Sequence, residues 1–197
     1  LVLRVLRDAV SRGWIEKEAL LEFEIVFHQE FMPGVLGPEL SLHSVGRGER
    51  QVSLETHLFR IQDAVVAGKT DVAEKLWKAL KDHPVYHRAK LPGVPVDPEY
   101  AEDQVSFFTK AVGLRHYHDR LCWTWLAAET AKTAKLVRDD EEARRIFRLL
   151  DEVCASYGAI PEVLDPESLE AFETLLYRSE MPFSWGAAKI LEALDTK

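Results

Sequence analysis

Cysteine is scarce in this chain, with only Cys122 and Cys154 among 197 residues. Two thiols inside helical patterns give neither a disulfide framework nor a metal-ligand cluster. Reduced, packed thiols and a cytoplasmic setting are the expectation. Long apolar runs are also missing. None approaches the ~20 residues that cross a bilayer, and the first residues show no signal-peptide pattern. Nor is there an excess of positive charge. The net charge of −8 would repel both nucleic acid and anionic lipid, so neither is expected as a partner. The sequence has no HExxH or CxxC for zinc, no GxGxxG or P-loop for nucleotides, and no GxSxG elbow for serine hydrolysis. His83, His87, His116 and His118 fall at spacings that do not suit zinc. Nucleotide-dependent and serine-hydrolase readings drop out for lack of their parts.

What is present is an ordinary globular composition, 47% hydrophobic and 29% charged. The length suits one domain, or part of a larger one. Because the chain opens directly on amphipathic helix, residues 1–197 are expected to be the carboxy-terminal portion of a single domain whose amino-terminal part is missing. Leu3, Leu6 and Val10 recur near helical spacing up to Gly13. Residues 14–31 contain Glu16-Lys-Glu-Ala-Leu-Leu and are predicted helical, although Leu21 to Phe27 also alternates like a strand. A glycine- and proline-rich loop follows from Met32 to Val52.

Ser53 can cap a helix that runs to about Ala67, with Leu54, Leu58, Ile61 and Val65 on one stripe. Gly68 ends it, and Asp71 begins a partner helix through Leu80. A second long loop, with prolines at 84, 92, 95 and 98, spans His83 to Asp103. A weak helical pattern resumes near Gln104 and breaks at Gly113. The segment Arg115 to Trp125 leads into a helix through Val137, and Glu141 to Tyr157 is its antiparallel partner across a short turn. Short turns at one end and long aromatic or proline-rich loops at the other predict an all-α fold. Its antiparallel helical hairpins would gather the long loops on one face. No fixed repeat period supports a solenoid.

Four groups of residues could carry chemistry, and each has a plainer reading. In Tyr157-Gly-Ala-Ile-Pro-Glu-Val-Leu-Asp-Pro166, prolines brace Glu162 in a stiff loop. Apolar neighbours there could tune its carboxyl, or it could be a surface acid in a turn. Tyr117, His118, Asp119, Trp123 and Trp125 combine aromatic faces with a carboxylate. That suits a sugar's C–H face and its hydroxyls, or equally a capped helix start with packed tryptophans. Phe183-Ser-Trp185 opens the last helix and could line a site or simply pack. Glu55 and His57, near Arg60, stand behind the glycine-rich loop and could line a pocket or cap their helix.

The order of these motifs resembles the carboxy-terminal half of a six-hairpin (α/α)6-barrel glycosidase. The segments are Tyr-His-Asp-Arg-Leu-Cys-Trp-Thr-Trp from Tyr117, Gly-Ala-Ile-Pro-Glu-Val-Leu-Asp-Pro-Glu from Gly158, and Pro-Phe-Ser-Trp-Gly-Ala-Ala-Lys-Ile-Leu from Pro182. The likeness is to glycoside hydrolase family 63, the glucoamylases and the amylo-α-1,6-glucosidases, over roughly residues 50–194. It implies part of an (α/α)6 toroid and inverting hydrolysis of an α-glycosidic bond in an oligosaccharide or glycoside, without metal or cofactor. Glu162 would match the general base and Trp123 the subsite tryptophan. Tyr117 and His118 would line the sugar pocket, with Trp185 packed beneath it. Asp119-Arg120 departs from the Asn-Gly or Arg-Gly usual there. The family's general acid lies in the absent amino-terminal half, since neither early acid weighed for it, Asp8 or Glu55, has a tryptophan-rich context. This piece alone is therefore expected to be inactive. Two other readings stay open: a non-catalytic sugar-binding or scaffold barrel, and a six-hairpin epimerase or lyase using His57 or His118.

Overall fold

The computed structural model describes residues 9–20 and 51–196. The chain divides into two units, Leu1–Leu42 and His43–Lys197. In the first, residues 9–11 and 17–20 are helical. Gly13, at φ 71°, takes the left-handed backbone that ends the first piece. The Arg12 guanidinium lies 5.2 Å from the centre of the exposed Trp14 ring. Asp8, most of the helices predicted over 1–12 and 14–31, and nearly all of the glycine-rich loop lie outside the described residues.

In the second unit, a two-residue strand β1 (Val52–Ser53) leads straight into helix α1 (Leu54–Val66). Ser53 caps it as predicted, its hydroxyl accepting the Thr56 N–H at 3.2 Å. The buried stripe holds Leu54, Leu58, Ile61 and Ala64. Gly68, at φ 72°, turns the chain into α2 (Thr70–Lys81), whose Ala73, Leu76, Trp77 and Leu80 are buried. The next stretch is less bare than its prolines suggest. It holds a short α3 (Pro84–His87), β2 (Val96–Asp97), a 3-10 turn (Glu102–Gln104) and α4 (Phe107–Ala111). Strand β2 pairs antiparallel with β1, Val52 opposite Asp97.

The core is built around one helix of small residues. Strand β3 (Cys122–Trp123) runs into α5 (Thr124–Leu136). Ala127, Ala128, Ala131 and Ala134 are all buried, and their size lets α5 be approached from several sides. Helix α6 (Asp140–Tyr157) returns along it and buries Ala143, Ile146, Leu150 and Val153, a stripe at helical spacing. Gly158, at φ 66°, ends α6. After β4 (Val163–Leu164) and an extended loop, α7 (Ser184–Asp195) packs on α5 as well, and α1 packs on α5 from elsewhere. The fold is all-α, with only two short antiparallel strand pairs among the described residues. No described helix is long and apolar enough to cross a membrane.

Two loop segments tie helix starts together. The Leu54 N–H donates to Pro95 C=O at 2.8 Å and the Trp123 N–H to Gly93 C=O at 2.9 Å, so residues 93–95 bridge the starts of α1 and α5. A Cβ on Gly93 would stand 2.6 Å from the Trp123 carbonyl oxygen and 2.8 Å from Cys122 Sγ. Bare backbone is what allows this approach. The Cys122 thiol donates to Leu91 C=O at 3.2 Å. On the other side, the Thr124 N–H donates to Glu162 C=O at 3.2 Å and the Phe183 N–H to Ile160 C=O at 2.8 Å. Residues 160–162 thus join the starts of α5 and α7, and the long connections meet where these three helices begin.

Candidate functional site

Glu162 is fixed by its backbone before its side chain makes any contact. Strands β3 and β4 pair with Trp123 opposite Val163 and Cys122 opposite Leu164. One residue earlier, Glu162 accepts from the Thr124 N–H through its C=O, and its own N–H donates to Glu180 C=O at 2.9 Å. The Thr124 hydroxyl donates to Pro161 C=O at 2.7 Å. The loop from Asp165 to Glu180 folds back on itself, with Leu164 bridging Ala171 and Glu173 bridging Arg178. That return delivers Tyr177, whose hydroxyl donates to Glu162 Oε2 at 2.6 Å.

Tyr177 links the carboxylate to an aromatic cluster. Its hydroxyl lies 3.4 Å from that of Tyr117, and the two rings meet edge to face at 5.5 Å. Tyr117 also meets Trp123 edge to face, with centres 4.9 Å apart, and the Trp123 indole N–H donates to Tyr117 C=O at 3.0 Å. His118 lies nearly parallel to Trp123, tilted 12° with centres 5.5 Å apart. Burial pushes the Tyr117 hydroxyl up to about 12. Burial, then the bond to Glu162, raises Tyr177 further. Both hydroxyls therefore keep their protons at neutral pH. Desolvation lowers the His118 pKa against the pull of Asp119 and Glu162, leaving a neutral ring at pH 7. The Tyr117 hydroxyl also bears on the same carboxylate. Oε2 is the oxygen tethered by Tyr177, and among the described residues no hydrogen bond within 3.5 Å reaches Oε1.

The other predicted site residues lie apart from this arrangement. Asp119, expected to take sugar hydroxyls, is wholly buried. Its Oδ2 accepts the Tyr100 N–H at 3.0 Å and Arg115 Nη1 at 3.1 Å, while Oδ1 faces His116 Nδ1 at 3.1 Å. It holds the 114–121 turn in shape. Trp185, expected beneath a sugar, is 56% exposed, with Lys189 Nζ 5.7 Å from its ring centre. Trp125 and Glu55 are half-buried in the first turns of α5 and α1, and His57 is buried on α1. None of these five takes part in the bonds and ring contacts that join Glu162, Tyr177, Tyr117 and Trp123. Tyr177 has no counterpart among the residues picked out from the sequence, where it sat in an unremarked polar stretch.

Two other groupings bring charged side chains together. Among the described residues, Glu99, His116 and Asp119 bring three potential metal-ligand atoms within 4.8 Å of one another. Three guanidinium groups already neutralise them: Arg88 and Arg120 on Glu99, Arg115 on Asp119. A 400 Å³ hollow lined by Lys81, Asp139, Glu142 and Arg145 holds paired charges and no aromatic ring.

The Glu99 group is a clamp, and its charge makes a prediction about acid. The bond from Arg120 above all, with that from Arg88, draws the Glu99 carboxyl from its usual 4.5 down to about 2. The folded state thus holds this proton less tightly than the unfolded chain. The clamp contributes fully above about pH 4.5 and weakens as pH falls towards 2. Thermal melts across that window should show Tm falling. Glu99→Gln should lower Tm at pH 7 and flatten the acid fall; an unchanged acid profile would remove Glu99 as its source.

No protein-family model, curated protein or solved structure matches the chain, so the functional reading rests on the geometry around Glu162.

Proposed function

We propose that this chain is the Glu162-bearing part of an inverting glycoside hydrolase that acts on α-linked sugars. The observation that carries the reading is the 2.6 Å bond from Tyr177 to Glu162 Oε2, which tethers a carboxylate to an aromatic cluster built from Tyr117 and Trp123. Aromatic faces take the C–H face of a pyranose. Beside them, Glu162 Oε1 can take a proton from water as that water attacks the anomeric carbon. The Tyr177 tether limits rotation of the carboxylate, so the free oxygen keeps one direction. Side by side, α1, α5 and α7 suit one arc of an (α/α)6 toroid. The acid that protonates the leaving oxygen would come from outside residues 51–196, roughly 6.5–9.5 Å from Glu162 to leave room for the water. No cofactor enters this chemistry. Two free thiols fit a cytoplasmic protein.

A substrate whose leaving group needs little protonation isolates the step assigned to Glu162. The chain should release fluoride from α-glucosyl fluoride, and proton NMR should show β-glucose as the first-formed anomer. A first product of α configuration would exclude inversion. Sugar binding without any fluoride release would leave a binding module.

A further inference from the structure

We propose that Tyr117 is a positioning residue for Glu162: its hydroxyl donates to the Tyr177 oxygen, so that Tyr117, Tyr177 and Glu162 form one hydrogen-bonded line. The catalytic consequence rests on the hydrolase reading, whereas the line itself does not. A phenol has a single proton to give, and an ionised carboxylate can only accept. The Tyr177 proton therefore lies in the 2.6 Å bond to Glu162 Oε2. The Tyr177 oxygen keeps its lone pairs, and the Tyr117 hydroxyl stands 3.4 Å away. Across that gap Tyr117 is the donor.

Packing fixes the Tyr117 ring without help from its hydroxyl. The ring stands edge to face with His118 and Trp123, each 4.9 Å between centres, and with Tyr177 at 5.5 Å. The Tyr117 N–H donates to Leu114 C=O at 3.1 Å, and its C=O accepts the Trp123 indole N–H at 3.0 Å. Tyr177 arrives on a separate anchor, a turn closed by Thr174. The Thr174 oxygen accepts the Leu176 N–H at 3.2 Å and the Tyr177 N–H at 3.1 Å, and its hydroxyl donates to Val112 C=O at 3.3 Å. Both tyrosines are half-buried. Two independently held rings thus bring their hydroxyls to the same carboxylate.

The 3.4 Å gap is long beside the usual O–H···O separation of about 2.7–2.8 Å. Catalytic hydrogen bonds commonly tighten only when substrate is bound, and a ligand seated on these rings would displace the water that competes for both hydroxyls. Donation by Tyr117 makes the Tyr177 O–H a stronger donor in turn, so each bond in the line reinforces the next. Oε2 is then held more firmly, which keeps Oε1 aimed. The negative end of the line is also stabilised, so hydrolysis should persist further into acid than it would without Tyr117.

Carbon-13 NMR of tyrosine Cζ in the labelled full chain reads these bonds without any sugar. Tyr117→Phe keeps the ring and removes only the hydroxyl, and it should move the Tyr177 signal. Glu162→Gln, which leaves Tyr117 intact, should move both tyrosine signals. Adding Tyr177→Phe should shrink the response of Tyr117 to Glu162→Gln. In fluoride release from α-glucosyl fluoride, Tyr117→Phe should lower kcat roughly two- to tenfold, the worth of one neutral hydrogen bond. KM should barely change, and the acid limb of the pH profile should move to higher pH. In a Tyr177→Phe background the same change should cost nothing further. A Tyr177 signal indifferent to Tyr117→Phe overturns the proposal, as does an undiminished Tyr117 response once Tyr177→Phe is present. Losses in kcat that simply multiply in the doubly substituted chain also overturn it, since a packing role would add in that way. If the signals move as expected but fluoride is never released, the hydroxyl line stands and the hydrolase reading falls.

Discussion

Glu162→Gln should lower fluoride release from α-glucosyl fluoride by about 10²–10⁴-fold, the range removed with a positioned general base. The substitution isolates proton transfer because so little else changes. The amide has nearly the shape of the carboxylate, and its oxygen can still accept the Tyr177 hydroxyl that now sits 2.6 Å from Oε2. The backbone bonds of Glu162 to Thr124 and Glu180 do not involve the side chain at all. Sugar affinity should therefore be largely kept, so the loss falls on kcat and leaves KM almost alone. Stopped-flow or fluoride-electrode kinetics separate the two. Turnover equal to that of the unsubstituted chain would take the base role away from Glu162.

The largest effect on stability is expected at Asp119. Asp119→Ala removes a wholly buried carboxylate whose oxygens engage Arg115, His116 and the Tyr100 N–H. Loss of one member of a buried charged network typically costs about 3–5 kcal/mol. For a chain of this size that is a fall in Tm of roughly 6–20 °C. Arg115 keeps its bonds to Glu102 and to Tyr100 C=O, which favours the lower part of the range. The 114–121 turn also carries Tyr117 and His118, so aromatic order beside Glu162 should loosen first. Differential scanning calorimetry checks the magnitude. A shift of only a degree or two would mean that Asp119 is a bystander.

The helices were legible because their signals are local. Ser53 precedes a stripe of period 3.6, Gly68 follows it, and the alanines of α5 stand beside the two-faced α6. The pairing of β3 with β4 was not legible, since two residues per strand are too few to show alternation. Glu162 and Trp123 could be singled out by type. Their connection depends on Tyr177, brought in by a loop whose return is held by backbone bonds such as Ser179 N–H to Phe172 C=O at 2.8 Å. No residue pattern announces such a fold-back. Asp119 was misjudged for a related reason. It looked like the start of a helix, but α5 begins at Thr124. The Arg115 contact lies within the turn itself, but the Tyr100 contact arises only when the turn closes on a segment nineteen residues earlier. The resemblance puts Trp185 beneath a sugar pocket, yet it opens α7 on an exposed side.

The two thiols described earlier are chemically unequal. Cys154 is only half-buried on α6, while Cys122 is sealed within the strand that carries Trp123. Burial holds the Cys122 proton tightly, and the thiolate is the reactive form. Oxidants and alkylating agents should meet Cys154 first, sparing the strand that carries Trp123. Damage would register on an outer helix long before it touched the carboxylate's foundations.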